Sequence, residues 1–389
     1  MTLNEEALIF HRNAMGKIAI SSKVPLATRK DLSLAYTPGV AEPCRKIMQD
    51  RKLVFEYTSK WNTVAVVSDG TRVLGLGDIG PEAALPVMEG KAILFKEFGS
   101  VDAFPICLAE KDLGKLVDII TAIAPSFGGI NLEDIESPKC FELETILKKK
   151  LDIPVFHDDQ HGTAVVALAG LINSLKIVNK TPKEANIVVM GAGAAGSAIT
   201  KHLINAGCEN ILVCDKDGIL YDEATEALKH RKELVKITNK RKTRGSSMEA
   251  ARGADVIIGV SVPGSITPKM IQLMAKDPIV FAMANPVPEI YPEEAKKAGA
   301  RIIATGRSDF PNQLNNLLGF PGIFRGALDA QAYDINDEMK IAASNALASA
   351  VGDSLSVVHI LPDPLWKGVH LKVAMAVHKA AYASGVARK

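Results

Sequence analysis

The stretch that decides the fold is Asn186-Ile187-Val188-Val189-Met190, followed by Gly191-Ala192-Gly193-Ala194-Ala195-Gly196. The apolar residues predict a short buried strand, the GxGxxG pattern a tight turn, and the small residues the start of a helix. A second apolar run, residues 211–215, ends in Asp215, 24 residues after Gly191. This order predicts a Rossmann unit whose glycine loop and helix N-terminus hold a dinucleotide pyrophosphate. The predicted cofactor-binding residues are Gly191, Ala192, Gly193, Ala194, Ala195, Gly196 and Asp215.

Asp215 bears on which dinucleotide binds. A carboxylate at this position accepts hydrogen bonds from both ribose hydroxyls of NAD and repels the 2′-phosphate of NADP. However, the run 229–244 carries eight Lys or Arg residues against one Glu. Such a run is typical of a solvated helix face, but it could also neutralise the extra phosphate. The sequence therefore favours NAD and leaves NADP open.

Strands and helices alternate on both sides of this stretch. Upstream, strands are predicted at 63–67, 103–108 and 153–156, and helices at 4–20, 82–97, 111–124 and 163–178. Downstream, a helix is predicted at 197–206 and strands at 256–259, 279–283 and 302–305. The alternation indicates the α/β class with parallel sheets. We place the boundary of two domains near residues 155–160, which gives an N-terminal domain of residues 1–159 and a doubly wound Rossmann domain of residues 160–389 with C-terminal helices.

A second GxGxxG match, residues 75–80, lacks the context of a dinucleotide site. It is followed by Pro81, and the next predicted strand does not end in a carboxylate. We interpret this match as a tight turn.

Composition excludes several classes of function. The 389 residues include 46 basic and 44 acidic side chains, a net charge of +2, which provides no global field for a nucleic acid or an anionic membrane. The longest apolar stretch, about 162–175, is shorter than the roughly 20 residues that span a bilayer. The five cysteines never form CxxC, which disfavours a disulfide scaffold and fits a reducing cytoplasm. We therefore expect a cytoplasmic protein without nucleic-acid or membrane partners.

Two acidic pairs are candidate metal ligands. Asp158-Asp159 directly follows the predicted strand at 153–156, and Glu133-Asp134 lies in the run 130–135 after the predicted helix at 111–124. Ligands gather at the carboxyl ends of parallel strands. Carboxylates from two such loops could bind Mg²⁺ or Mn²⁺, while a helix cap or a surface position is the alternative for either pair. Lys91 lies in an apolar context, where burial or a nearby metal would lower its pKa and make it a usable general base. The alternative is a lysine whose ammonium extends to water.

Taken together, the motifs resemble those of the malic enzyme family in its short, single-unit form. The resemblance covers nearly the whole chain, and its motifs are residues 36–41, 68–78, 88–91, 131–134 and 156–164, the Gly191 loop, Asn285-Pro286, 312–316 and 320–322. It implies an N-terminal domain like that of amino-acid dehydrogenases, paired with the Rossmann domain. The implied reaction is the oxidative decarboxylation of L-malate to pyruvate and CO₂ with NAD, or alternatively NADP, and Mn²⁺ or Mg²⁺. A homodimer or higher homo-oligomer is also implied.

The resemblance assigns roles to individual residues. It implies Lys91 as general base, Tyr36 as general acid and Asp158 as a supporting catalytic residue. Implied metal ligands are Glu133, Asp134 and Asp159; implied substrate contacts are Arg72, Asn285 and Asn316; and Ser261 and Asn285 are implied cofactor contacts. Whether Tyr36 serves its own chain or a partner stays open.

Three other functions compete with this interpretation. A malolactic enzyme shares the motifs but retains its cofactor and releases lactate. An amino-acid dehydrogenase has a similar two-domain build without a metal. A dinucleotide-sensing module has no use for Lys91 and two carboxylate pairs.

Overall fold

The computed structural model describes residues 2–73, 75–221 and 229–388. Leu74, which falls within one of the quoted motifs, lies outside the described residues, as does the side chain of Lys229 in the basic run. None of the described helices is long and apolar enough to cross a membrane. All five cysteines are free thiols.

The N-terminal half is built round a parallel four-stranded sheet. Its strands are β1 (Thr63–Ser68), β2 (Asp102–Cys107), β3 (Gly129–Leu132) and β4 (Val155–His157), in the spatial order β2-β1-β3-β4. The register pairs Val67 with Leu132 and Leu132 with His157, so β1, β3 and β4 end at the same edge. The helices of this half are α1 (Leu3–Ala14), α2 (Arg29–Ala35), α3 (Ala41–Gln49), α4 (Val54–Tyr57), α5 (Pro81–Gly99), α6 (Leu113–Ile123) and α7 (Lys139–Lys150).

The C-terminal half contains a six-stranded sheet with the expected glycine loop at its centre. The strands are β5 (Asn186–Met190), β6 (Asn210–Asp215), β7 (Gly218–Ile219), β8 (Val256–Gly259), β9 (Ile279–Ala282) and β10 (Ile302–Thr305). Their order is β10-β9-β8-β5-β6-β7, parallel except for β7. The strand order reverses between β5 and β8, which is where doubly wound sheets bind ligands. The α/β class with two parallel sheets and the Rossmann order are confirmed.

The remaining helices connect and cover the two sheets. They are α8 (Asp158–Ile177), α9 (Ala194–Asn205), α10 (Lys229–Ile237), α11 (Ser247–Ala251), α12 (Pro268–Leu273), α13 (Pro292–Lys297), α14 (Phe320–Asp329), α15 (Asp337–Ala350) and α16 (Lys367–Ala383). The Phe95 ring of α5 packs on Phe320 and Phe324 of α14, at centroid distances of 4.8 and 5.2 Å. Helices from the end of the chain therefore complete the core of the first half.

Two helix boundaries differ from the sequence prediction. The first helix ends at Ala14 rather than near residue 20, because Met15 turns into the left-handed region with φ of 50°. Helix α8 begins at Asp158, five residues before the predicted start. The positive end of the helix dipole favours carboxylates in the first turn of a helix. Asp158 and Asp159 therefore extend α8 back to the end of β4. The expected domain boundary at residue 159 therefore falls inside the first turn of α8.

Candidate active site

Lys91 is the centre of a buried polar cluster at the carboxyl edge of the first sheet. Its side chain is 8% exposed. The ammonium Nζ lies 2.5 Å from Oδ2 of Asp158 and 2.8 Å from Oε1 of Glu133, and 4.2 Å from the ring centroid of Phe320. The cluster therefore holds one cation between two carboxylates, with an aromatic face on one side.

The sheet topology brings these carboxylates together. Glu133 follows β3, and Asp158 follows β4, which is the parallel neighbour of β3. Adjacent parallel strands place their carboxyl ends side by side. Lys91 points into this edge from the buried face of α5. Lys91 thus meets two carboxylates that lie 42 and 67 positions further along the chain.

Two asparagines complete the cluster. Asn316, from the C-terminal half, donates its side-chain amide to Oδ2 of Asp158 at 2.5 Å. Asn131 on β3 donates to Oε2 of Glu133 at 2.9 Å. Asn316 is one of the predicted substrate contacts, whereas Asn131 had no assigned role in the sequence analysis. Both carboxylates are consequently held in fixed orientations.

The charge state of Lys91 differs from the sequence prediction. Burial alone would lower its pKa, as expected, but Asp158 and Glu133 outweigh burial and raise that pKa above its ordinary value. An ammonium paired with two carboxylates is stabilised in its charged form. The predicted lowering by burial is therefore present but outweighed by the two carboxylates, which favour the charged form of Lys91.

The pKa values of the three carboxylates are raised as well, which disfavours the charged form of these groups. Burial raises the pKa values of Glu133, Asp158 and Asp159, and their mutual repulsion adds to this. Oδ1 of Asp158 has no hydrogen-bond partner among the described residues. These negative charges are incompletely balanced by Lys91, and hard oxygen donors are those that Mg²⁺ and Mn²⁺ prefer. The site fits a divalent cation in its chemistry, although within the described residues no three acidic, imidazole or thiolate side chains are gathered closely enough to enclose one.

The other two predicted metal ligands touch each other through the backbone. The backbone N–H of Asp134 donates to Oδ2 of Asp159 at 2.8 Å. Asp134 has φ of 54°, a left-handed conformation that aspartate tolerates better than most residues. The Arg72 backbone donates to the Asp134 carbonyl at 3.0 Å, and the Arg72 cation contributes to lowering the pKa of Asp159 against the effect of burial. Arg72 thus lies at the rim of the carboxylate cluster.

The glycine loop between β5 and α9 is tightly packed at Gly196 and open at Gly193. A Cβ on Gly196 would lie 1.8 Å from the Gly191 carbonyl oxygen, so only glycine fits there, while a Cβ on Gly193 would meet nothing within 4 Å. Ser261, which follows β8, has its Cβ 3.5 Å from the position of a Cβ on Gly191. Ser261 and the loop therefore form one surface at the point where the strand order reverses.

Asp215 is not alone at the end of β6. Arg231 of α10 forms an ion pair with it, and the neighbouring His230 bonds through Nε2 to the Ala192 carbonyl oxygen at 3.1 Å. The start of the basic run therefore lies against the glycine loop rather than in solvent. Its first turn brings a guanidinium to the carboxylate predicted to bind ribose hydroxyls.

Asn285 lies where the two halves meet. A Cβ on Gly306 would lie 2.5 Å from its side-chain nitrogen, and a Cβ on Gly75 would lie 2.6 Å from Cδ of the neighbouring Pro286. Gly75 belongs to the first glycine motif, in which Leu76 donates to the Val73 carbonyl at 2.9 Å. The prediction of a tight turn is confirmed, and that turn packs against the Asn285 loop.

The comparisons with known proteins identify the family. The family model for the malic enzyme N-terminal domain matches residues 15–148, and that for the malic enzyme NAD binding domain matches residues 160–382. The chain belongs to the malic enzyme family. The resemblance stated from the motifs is thus confirmed, as is the expectation of an oxidoreductase of this family.

Several malic enzymes are similar to the chain over most of its length. A bifunctional malic/malolactic enzyme from Bacillus subtilis is 56% identical, over 100% of this chain and 95% of that protein. An NAD-dependent malic enzyme from Geobacillus stearothermophilus is 57% identical, over 96% of this chain and 78% of that protein. The crystal structure of a malic enzyme from Pyrococcus horikoshii matches with a TM-score of 0.97 and 55% identity, over 100% of this chain and 92% of that one.

Tyr36 is not among the described residues that contact the Lys91 ammonium, which are Glu133, Asp158 and Phe320. It ends α2 with its side chain 68% exposed. All described residues of α1, α2 and α3 are at least partly exposed, among them Leu8, Leu34 and Met48.

Buried carboxylates near the site that the sequence did not indicate include Asp69 and Glu289. Asp69 accepts from the Thr71 backbone and hydroxyl through Oδ1 and pairs with Lys139 at 2.6 Å, which supports the turn before Arg72. Glu289 accepts from the backbone N–H groups of Ser261 and Ala284, at 2.7 and 3.0 Å. Asp69 lies within a family motif, which could have indicated it. Glu289 lies outside the quoted motifs, and its partner Ser261 is 28 positions away in the chain.

Proposed function

We propose that the protein oxidises L-malate with NAD(P)⁺ and releases pyruvate and CO₂. The observation that carries the proposal is the position of the Lys91 ammonium between Glu133 and Asp158. Asn316, from the dinucleotide-binding half, donates to the Asp158 carboxylate. A base, acidic ligands and a cofactor site then share one cleft. The names of the Bacillus and Geobacillus relatives support the substrate.

The residues divide the chemistry between two proton transfers. Lys91 takes the proton of the C2 hydroxyl as hydride leaves C2 for the nicotinamide, and Asp158 and Asn316 hold Lys91 in place. Tyr36 gives a proton to C3 after CO₂ departs. Arg72 and Asn285 bind the substrate, and Asn285 with Ser261 and the Gly191 loop binds the cofactor.

We infer that Glu133, Asp134 and Asp159 hold Mn²⁺ or Mg²⁺. When bound, the cation supplies Lewis acidity that stabilises negative charge on the C2 oxygen. If Glu133 binds the cation, its charge is no longer available to Lys91, and Asp158 would be the remaining carboxylate paired with Lys91. The pKa of Lys91 would then fall relative to the metal-free protein, which makes it a better base.

For the cofactor, we propose that NAD is preferred and NADP accepted. Asp215 ends β6, where a carboxylate accepts hydrogen bonds from the ribose hydroxyls of NAD, which supports the preference. Arg231 pairs with Asp215 and offers a guanidinium to a 2′-phosphate. Asp215 favours the 2′-hydroxyl of NAD, and Arg231 favours the 2′-phosphate of NADP. The balance between these two groups sets the cofactor selectivity.

The protein is further proposed to act as a homodimer or higher homo-oligomer in which Tyr36 serves the partner's site. The exposed apolar side chains of α1, α2 and α3 support an interface there, because a monomer would leave them in water. The free thiols support a reducing compartment, the cytoplasm. We retain residues 1–159 and 160–389 as the two domains.

A second candidate is malolactic activity, which the printed name of the Bacillus relative favours. It differs in retaining the cofactor and reducing pyruvate to lactate. Initial rates with malate, Mn²⁺ and either NAD⁺ or NADP⁺ test both functions. Absorbance rising at 340 nm, abolished by EDTA, is expected for the first, whereas lactate without a 340 nm signal would establish the second.

A further inference from the structure

A buried carboxylate outside the assigned residues lies behind the turn from β4 to α8. Glu144 of α7 is 7% exposed. Its Oε1 accepts from the His157 backbone N–H at 3.3 Å and from Nε2 of His161 at 2.8 Å. Its Oε2 accepts from the Gln160 side-chain amide at 3.4 Å. One side chain of α7 therefore binds three donors within five residues of the turn.

The contact with His161 has a defined direction. Nζ of Lys340 lies 3.4 Å from Nδ1 of His161, and an ammonium can only donate. Nδ1 is therefore the acceptor, and Nε2 carries the proton that goes to Glu144. Lys340 is itself buried and pairs with Asp337 at 2.6 Å. This chain of contacts links the turn to α15.

Glu144 lies close to a part of the protein that is already rich in negative charge. The turn it holds carries Asp158 and Asp159, so a third carboxylate beside them is electrostatically unfavourable. Its three donors and the positive charge of Lys148 offset that cost. What Glu144 contributes is the geometry of the turn, since the backbone and two side chains converge on its oxygens.

We infer that Glu144 is a positioning residue for the proposed reaction. It holds the β4–α8 turn so that Asp158 meets Lys91 and Asp159 meets the N–H of Asp134. The inference rests on the proposed function, because Asp158 and Asp159 act there. Partners that orient metal ligands typically affect metal affinity or activity by 10- to 100-fold.

The test compares Glu144→Gln with Glu142→Gln, an exposed position on the same helix. Free Mn²⁺ is measured by electron paramagnetic resonance during titration, and NAD⁺ binding by calorimetry. In E144Q the amide nitrogen replaces an acceptor with a donor, so we expect the Mn²⁺ dissociation constant to rise about tenfold. The NAD⁺ dissociation constant should stay within about twofold of wild type, because the glycine loop is untouched. E142Q should match wild type in both.

Three results would overturn the inference: unchanged Mn²⁺ affinity in E144Q, equal loss in E142Q, or parallel loss of NAD⁺ binding, which indicates general destabilisation. If E144Q does not fold, His161→Leu, which removes one donor to Glu144, replaces it, and a Mn²⁺ affinity equal to wild type then overturns the inference. Failure of the proposed function is recognised separately, because the wild-type protein itself would form no NAD(P)H from malate and Mn²⁺.

Discussion

Nζ of Lys91 lies 2.5 Å from Oδ2 of Asp158, and the same oxygen accepts the side-chain amide of Asn316 at 2.5 Å. One carboxylate oxygen therefore joins the proposed base on α5 to a residue of the dinucleotide-binding half. The relationship couples the position of the proposed base to that of the dinucleotide-binding half.

Replacing Lys91 by Met should remove the general base and leave the cofactor site intact. We expect kcat for malate oxidation to fall by at least about 10²-fold, the lower range for loss of a general base. The NAD⁺ dissociation constant should stay near wild type. Lys96→Met, an exposed position on the same helix, is the control. Wild-type turnover in K91M would exclude the assigned role.

Replacing Asp159 by Asn should weaken metal binding. A neutral amide is a poorer ligand for Mn²⁺ than a carboxylate, so we expect the Mn²⁺ concentration at half-maximal rate to rise about tenfold or more. Asp118→Asn, an exposed carboxylate on α6, is the control. An Mn²⁺ titration identical to that of wild type would contradict the assignment.

Subunit hybrids test whether Tyr36 acts on the partner's site. Lys91→Met and Tyr36→Phe proteins, each inactive alone, are mixed under conditions that exchange subunits. A shared site predicts recovery of roughly a quarter of wild-type activity, since half of the dimers are hybrids with one intact site each. Without sharing, every site keeps one defect, and no recovery is expected.

Replacing Arg231 by Gln should shift cofactor selectivity toward NAD. Loss of the guanidinium removes a charged partner for the 2′-phosphate and frees Asp215 to repel it. We expect kcat/KM for NADP⁺ to fall about tenfold or more, roughly the loss of one charge-assisted hydrogen bond, and that for NAD⁺ to change little. Lys201→Gln, an exposed cation on α9, serves as the control. Equal losses with both cofactors would show that Arg231 does not discriminate between them.

The buried His202 predicts a pH dependence of stability. Burial lowers its pKa to about 3, with Lys340 and His161 adding to the effect, and Nε2 bonds to the Ser344 hydroxyl at 2.9 Å. Between pH 6.5 and 3 the unfolded chain binds a proton that the folded one does not. His202 therefore contributes stability that is complete above pH 6.5 and is lost as pH falls, at up to about 1.4 kcal/mol per pH unit.

Urea unfolding at pH 7.0, 6.0 and 5.0 measures this slope. His202→Gln, which cannot titrate, should flatten it, whereas His378→Gln on the outer part of α16 should leave it unchanged. An equal slope in wild type and H202Q would show that other groups dominate.

Local patterns in the sequence determined the order of strands and helices, the dinucleotide loop and the carboxylates that end two strands. These features depend on neighbouring residues, since strand periodicity, glycine turns and helix starts act over a few positions. The family resemblance then supplied candidate roles for Lys91 and Tyr36.

Only the tertiary structure decided which side chains these candidate residues contact and how exposed they are. Lys91 is charged because β3 and β4 place Glu133 and Asp158 on either side of it, a result of strand pairing that local sequence does not encode. Likewise, Tyr36 is exposed because α2 packs against too little of its own chain. Glu144 meets the β4–α8 turn 13 to 17 positions along the chain, beyond the reach of a helical or strand repeat. Electrostatics in a buried site follow from which distant groups pack together, and packing is a property of the whole chain.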